Sequence, residues 1–289
     1  MQNLDVKIIS STDNRYPKVF RELSNPPKNI YALGNIGLFN QKPAVCIVGT
    51  RKASPYGKSI TIKLSRTIAA HGVPVISGLA YGIDSSAHIG ALEVGGPTIA
   101  VLPGSLTHIY PMGNYGLAKR IVMNDGLLIS EYGSDNSPQK YQFLERNRIM
   151  AALCSHAVVP EASSRSGSNY TIETALELGR SVGAVPGNID SPLSASPNRL
   201  LKQGAEPILS TDDLLLFMGI DRQPKKTDYV PADKNEKRVL DVLSSQASSN
   251  DSLINETGLP IAQLNICMTT LEIKGIVAYA NNKWSMVSH

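Results

Sequence analysis

Val45-Cys46-Ile47-Val48-Gly49-Thr50-Arg51-Lys52-Ala53-Ser54-Pro55-Tyr56-Gly57-Lys58 is the stretch whose reading decides the fold. Its four leading apolar residues, three of them β-branched, spell a buried strand that stops at Gly49. A polar loop with Arg51 and Lys52 follows, and residues 59–70 then carry Ile60, Leu64 and Ile68 at helical spacing before Gly72. Strand, glycine loop and helix make a device for holding phosphate, because a helix N-terminus offers unpaired amides and the positive end of a dipole. Taken alone, the same residues read equally well as a solvated turn.

Outward from this stretch the alternation repeats. Residues 73–77, 98–102, 127–130, 157–160 and 182–187 read as strands, and 85–94, 115–124, 146–154 and 171–180 as helices. Asp84, Ser85 and Ser86 are N-cap candidates for the first of those helices. Continuous apolar strands separated by helices predict an α/β fold: an extended Rossmann-like, mainly parallel, doubly wound sheet over residues 1–218. Residues 1–43, with strands at 7–10 and 30–34 and a helix at 16–23, are too few for a core of their own and are expected to pack on that sheet as an extension. Residues 219–233, with two prolines and dense charge, read as a linker. Residues 234–289 read as helices at 234–244, 251–256 and 261–274, closed by Gly275, and a hairpin around Asn281-Asn282, the outline of a small winged helix.

Composition narrows the class. Of 289 residues, 42% are hydrophobic and 18% charged, as in an ordinary globular protein, and the net charge of +4 permits a nucleic-acid partner without demanding one. Cys46, Cys154 and Cys267 stand apart in apolar or helical contexts, which fits reduced core thiols better than a disulfide framework. No signal peptide, membrane span or membrane partner is expected, so the compartment inferred is the cytoplasm.

The Gly49 loop is no dinucleotide fingerprint, since Arg51 and Ser54 stand where further glycines belong, and no P-loop Gly-Lys-Ser/Thr follows. Two other stretches point to a polyphosphate chain. Residues 133–148 follow a strand and interleave Lys140, Arg146 and Arg148 with Tyr141 and Phe143, cations to track a backbone and aromatics to stack bases. Their blander reading makes Phe143 core and the arginines surface charges or donors to loop carbonyls. Residues 163–169 supply Ser166, Gly167 and Ser168 just before a helix, again a phosphate site. His71, His88, His108 and His156 are scattered, with His88 read as a structural hydrogen-bonder, so no metal or cofactor is expected. Glu173 is the one carboxylate placed to attract attention as a catalytic group.

In order along the chain stand Ile47-Val48-Gly49-Thr50-Arg51, the run from Ser77 through Gly78 to His88, Tyr110-Pro111, Ser130-Glu131-Tyr132, Arg146-Asn147-Arg148-Ile149, Glu161 with Arg165-Ser166-Gly167-Ser168, and Pro186-Gly187. This series, and the region from Tyr16-Pro17 to Leu214 that holds it, resembles the bacterial DNA-processing family DprA, also called Smf. The tail resembles the winged-helix domain of its longer members. The resemblance implies a non-enzymatic single-stranded DNA-binding protein that protects incoming strands in natural transformation, dimerises and loads the recombinase RecA. It implies phosphate contact by Arg51, backbone and base contacts by Lys140 and Phe143, and a pocket loop at Ser166–Ser168. With Lys52, Gly78, Arg146 and Asn147 these make up the expected DNA site, and Leu200 and Leu201 lie in the region the family uses to dimerise. Three departures stand out: the helical domain before Tyr-Pro is missing, Leu144-Glu145 stand where a proline and a variable residue are common, and Glu145 brings a negative charge toward the strand path. Two alternatives remain. One is a Rossmann-fold nucleotide-processing enzyme resembling the phosphoribohydrolases, using Arg148 and Glu173. The other is a winged-helix regulator of duplex DNA, reading through Gln263, Asn265 and Thr269.

Overall fold

The computed structural model of the chain describes residues 6–133, 138–220, 231, 233–245, 248–274, 276–280 and 283–286. Two compact units divide between residues 221 and 222. Most of the stretch expected as a linker lies outside the described residues.

In the first unit the strands are β1 (Lys7–Ser10), β2 (Asn29–Gly34), β3 (Val45–Ile47), β4 (Val75–Ser77), β5 (Thr98–Leu102), β6 (Leu127–Ser130), β7 (His156–Val159), β8 (Ser181–Ala184) and β9 (Glu206–Pro207). Among the described residues these nine form one sheet in the order β1-β2-β6-β5-β4-β3-β7-β8-β9. β2 pairs antiparallel with β1 and β6, and the other neighbours are parallel. The helices are α1 (Pro55–Ala70), α2 (Ile83–Glu93), α3 (Tyr115–Met123), α4 (Lys140–Leu153), α5 (Ser168–Glu177), α6 (Ala195–Lys202) and α7 (Thr211–Phe217).

Both faces of the sheet are dry, which is why the strands read as unbroken apolar runs. Val45, Ile47, Val75 and Val158 point to the face covered by Leu64 and Ile68 of α1 and Ala87 of α2, while Cys46, Val48, Ile76 and Val159 point to α4 and α5. Each fully buried Leu, Ile or Val contributes about 1.5–3 kcal/mol. His88 sits inside this packing, bonded through Nδ1 to Thr98 Oγ1 at 2.8 Å, and burial holds its imidazole neutral with a pKa lowered to about 3.

From β3 the chain steps through β4 and β5 to β6, then α4 crosses back and sets β7 on the other side of β3. Strand order reverses there, and such a reversal opens a crevice at the strands' carboxyl ends.

Helix starts differ most from the sequence reading. α1 begins at Pro55, α2 at Ile83, α4 at Lys140 and α5 at Ser168, each before the first apolar repeat. Caps set these first turns: Ser54 accepts the Gly57 amide, and Gln142 Oε1 accepts the Gln139 amide. None of Asp84, Ser85 and Ser86 caps α2; Gly82 holds that position and the Asp84 carboxylate accepts the Gly78 amide instead. Residues 18–22 form a 3-10 turn rather than the expected helix, because Pro17 and Pro26-Pro27 leave too little chain for α-helical turns.

In the second unit α8 (Lys234–Ser245), α9 (Asn250–Thr257) and α10 (Ile261–Ile273) pack around Val239, Leu243, Leu253, Leu264 and Leu271. β10 (Val277–Ala280) and β11 (Lys283–Met286) pair antiparallel, and Ser248 adds a bridge to Trp284. Gly275, Asn281 and Asn282 lie outside the described residues.

Candidate nucleic-acid interface

At the carboxyl ends of β3 and β7 lies a cleft of about 700 Å³. The loop after β3 gives it Gly49, Thr50 and Arg51, the loop after β7 gives Ser163, Ser166, Gly167 and Ser168, and the first turns of α4 give Lys140, Phe143, Arg146 and Asn147. Arg51 is exposed and its guanidinium lies 5.1 Å from the centroid of the Phe143 ring, a cation–π contact. Phe143 in turn packs edge-on against Tyr110, centroids 5.5 Å apart at 78°. A cation and an aromatic ring therefore share one rim.

The two helix N-termini beside this cleft differ. At α1 the protein supplies its own anion. Glu161, buried at the end of β7, accepts the Ser54 amide at 2.9 Å and the Ser54 hydroxyl at 2.6 Å, and a Cβ on Gly57 would stand 2.1 Å from Glu161 Oε2. This overturns the expectation that opened the sequence reading: the α1 terminus is not a vacant phosphate cradle. At α5 no acidic residue lies in the first turn; the Ser168 amide reaches the Ser166 hydroxyl at 3.4 Å and the Asn169 amide the Ser166 carbonyl at 3.0 Å, so neutral oxygens alone meet this terminus. The Ser166 and Ser168 hydroxyls meet at 2.8 Å, the Gly167 carbonyl takes the Asn147 amide at 3.1 Å, and a Cβ on Gly167 would meet nothing within 4 Å. The buried Thr171 hydroxyl, one turn on, lines the cleft and has no hydrogen-bond partner among the described residues. Of the two termini, α5 is the one that no protein carboxylate occupies, and so the one that favours an external anion.

Arg146 forms the floor. Its Nη1 donates to the Gly78 and Val101 carbonyls, both at 2.5 Å, and its Nε to Asn147 Oδ1 at 3.2 Å. Burial pushes its pKa down, opposed by the charge of Asp84; burial pushes the Asp84 carboxyl up, opposed by Arg146. These two charges compensate each other under the cleft. Gly78 is glycine because a Cβ would stand 2.0 Å from Arg146 Nη1, and its amide already serves Asp84 at 3.2 Å. Gly78, Arg146 and Asn147, three of the expected DNA contacts, are thus tied into the scaffold by these bonds, as in the blander reading of the arginine, while Arg146 and Asn147 also line the cleft.

Of the other expected residues, Arg51, Lys140, Phe143, Ser166, Gly167 and Ser168 all line the cleft, whereas Lys52 is exposed outside it. Residues 140–145 are helix rather than loop and run on into the expected 146–154 helix, so side chains three and four apart share a face and Arg148 turns away to an ion pair with Glu131 at 2.6 Å. Glu145 accepts the Tyr132 hydroxyl. Glu173 is exposed and does not line the cleft, so the arginine–glutamate pair required by the nucleotide-enzyme alternative is not assembled. Sequence points to Asp84 only as an N-cap candidate and gives Thr171 no role; Tyr110-Pro111 stands in the motif series, but nothing local ties it to Phe143. Leu200 is buried and Leu201 half-buried against their own core.

No described helix is long and apolar enough to cross a membrane, and no described cluster of His, Cys, Asp or Glu could hold a metal. On α10, Gln263, Asn265 and Thr269 are exposed as expected, but so are Ile261 and Ile266, and Lys274 at its end bonds Glu236 at 3.3 Å.

Comparison with known proteins agrees with this architecture. The DNA processing protein DprA of Streptococcus pneumoniae is 40% identical over 206 residues, 71% of this chain and 72% of its own length. Its X-ray structure matches with a TM-score of 0.69, covering 73% of this chain and 74% of that one. The DNA processing protein A of Helicobacter pylori, whose structure is described for a single-stranded DNA binding mode, matches with a TM-score of 0.67 at 32% identity over 74% of this chain and 95% of that one. The protein Smf of Escherichia coli is 32% identical over 280 residues, 94% of this chain and 75% of its own. The family model for the DprA winged helix domain matches residues 223–280, and that for DNA recombination-mediator protein A matches residues 7–219. The chain belongs to the DNA recombination-mediator protein A family, DprA/Smf.

Proposed function

We propose that this chain binds single-stranded DNA in the cleft between β3 and β7 and, without chemical turnover, protects it and passes it to the recombinase RecA during transformation. The observation that carries the DNA reading is the convergence on one cleft of Arg51 stacked on Phe143, Lys140, and the carboxylate-free N-terminus of α5. A phosphodiester backbone matches the cations and the α5 amides, and an unstacked base matches the Phe143 ring. Relatives described as DNA processing proteins, one with a single-stranded DNA binding mode, support the reading. RecA transfer rests on the family resemblance.

The work is assigned to the cytoplasm and to a homodimer. With Leu200 buried, we take the β9 edge of the sheet as the better dimer face, where Leu209, two residues past β9, is 72% exposed. The exposed isoleucines of α10 fit a protein partner for the winged helix better than duplex DNA.

The test is binding of single-stranded and duplex oligonucleotides across a salt series. Single strands should bind tighter, and Arg51→Ala and Lys140→Ala should each weaken binding about tenfold and flatten the slope of log K against log salt by about 0.7. Unchanged binding in both variants would show that the strand lies elsewhere.

A further inference from the structure

Resting on that reading, we infer that the bound strand leaves the cleft over the loops after β4 and β5, where Tyr81 and Tyr110 take further bases in line with Phe143. The cleft does not end at the Arg51–Phe143 rim. A second, shallow depression continues it, sharing Arg51, Tyr110, Phe143 and Arg146 and adding Tyr81 and Pro103. Its volume of about 40 Å³ is too small to enclose a base, so a base there rests on the rings instead of entering between them. The rings are available for that. Tyr81 is 50% exposed and Tyr110 is 46% exposed; Tyr56, Tyr115, Tyr141 and Tyr170 are exposed as well, but none of these four lines the depression.

Both tyrosines are also held firmly enough to be platforms. Tyr110 is braced edge-on against Phe143, and the Tyr81 hydroxyl lies against Gly113, where a Cβ would come within 2.5 Å of it. Leu79, two residues before Tyr81, is fixed in a left-handed conformation (φ 57°), its carbonyl taken by the Asn114 amide at 2.8 Å. A non-glycine residue held in that region is a strained, specified feature of the loop.

The topology supplies the direction. β7, β3, β4 and β5 are consecutive in the sheet, so their carboxyl-end loops form a row. Three strand spacings, about 14 Å, separate the α5 phosphate site from the Tyr110 loop. Along that row come backbone amides and hydroxyls, then Arg51, then Phe143, then two tyrosines. Toward β8 the row instead offers Tyr56 beside Pro186 and Asn188, an open hollow among whose lining residues there is no cation.

The experiment titrates the full chain with oligothymidylates of graded length, and separately with oligomers carrying a fluorescent adenine analogue at successive positions. Tyr81→Ala removes a ring without disturbing Phe143, and Tyr110→Leu keeps an apolar brace on Phe143. Tyr81→Ala should leave the shortest binding oligomers unaffected, and each variant should weaken longer ones at least fivefold and abolish quenching of the analogue at one position. The inference is overturned if Arg51→Ala lowers affinity while both tyrosine variants match the parent at every length, or if Tyr56→Ala alone reproduces the length-dependent loss. If Arg51→Ala has no effect either, the DNA site itself is misplaced and the tyrosine path falls with it.

Discussion

Two helix N-termini face one crevice, and only one is occupied by a protein carboxylate. α1 follows β3 in the position that a sheet of this kind usually gives to a ligand phosphate, yet Glu161 fills it from the neighbouring strand through Ser54. α5 follows β7 with hydroxyls, no carboxylate and free space in front of Gly167. The difference teaches that a glycine loop before a helix is only a potential anion site. A carboxylate arriving from elsewhere in the chain can convert it into a joint. Here the joint ties the loop carrying Arg51 to β7, so one terminus holds the apparatus and the other holds the ligand.

That contrast can be broken by substitution. Glu161→Ala should cost about 2–4 kcal/mol, since the Ser54 amide and hydroxyl both lose a charged acceptor, while the affinity of the folded fraction for single strands stays within a few-fold. Urea unfolding beside a binding titration separates the two, and a loss of affinity without a loss of stability would mean that Glu161 belongs to the ligand site. Gly57→Ala should destabilise by roughly 1–3 kcal/mol, because the new methyl collides with the carboxylate.

Acid should act through the core. The His88 pKa of about 3 lies below the usual 6.5, so between those values the unfolded chain binds a proton that the folded one refuses. Stability should therefore fall on acidification below pH 6.5, by about 1.4 kcal/mol per pH unit for this one group. Asp84, whose carboxyl burial raises, works in the opposite sense just above the ordinary carboxylate range. Urea midpoints measured from pH 7 to 4, with His88→Asn as the comparison, would expose the histidine's share, since the variant should lose that slope.

The smallest effect is expected at the carboxylate-free terminus. Gly167→Ala should leave stability within about 0.5 kcal/mol, because its methyl meets nothing, and yet weaken DNA binding by crowding the approach to the α5 amides. Strong destabilisation in this variant would mean that the α5 terminus is as closed as that of α1.

The sheet was legible because its strands are buried on both faces and so read as apolar runs, and the loops that meet at the crevice follow from their order. What could not be read was non-local. Glu161 reaches Ser54 across 107 residues, and in sequence it is one acidic residue after a strand. The first turns of α4 read as loop because Lys140 to Glu145 carry no apolar repeat; Gln139 and Gln142 start that helix instead. Helical spacing then divides the cations by direction, Lys140 to the cleft, Arg146 to its floor and Arg148 to Glu131. A count of charges carries no such direction.

Because α4 is the crossover that joins the two halves of the sheet, the cleft it walls exists only when both halves are assembled. A strand lying across it bridges segments from opposite sides of the reversal and binds the intact unit alone. DNA should therefore behave as a folding ligand for the whole first unit, adding about 2.7 kcal/mol at a hundredfold excess over Kd. Its thermal shift would report occupancy of the site and integrity of the sheet as a single quantity.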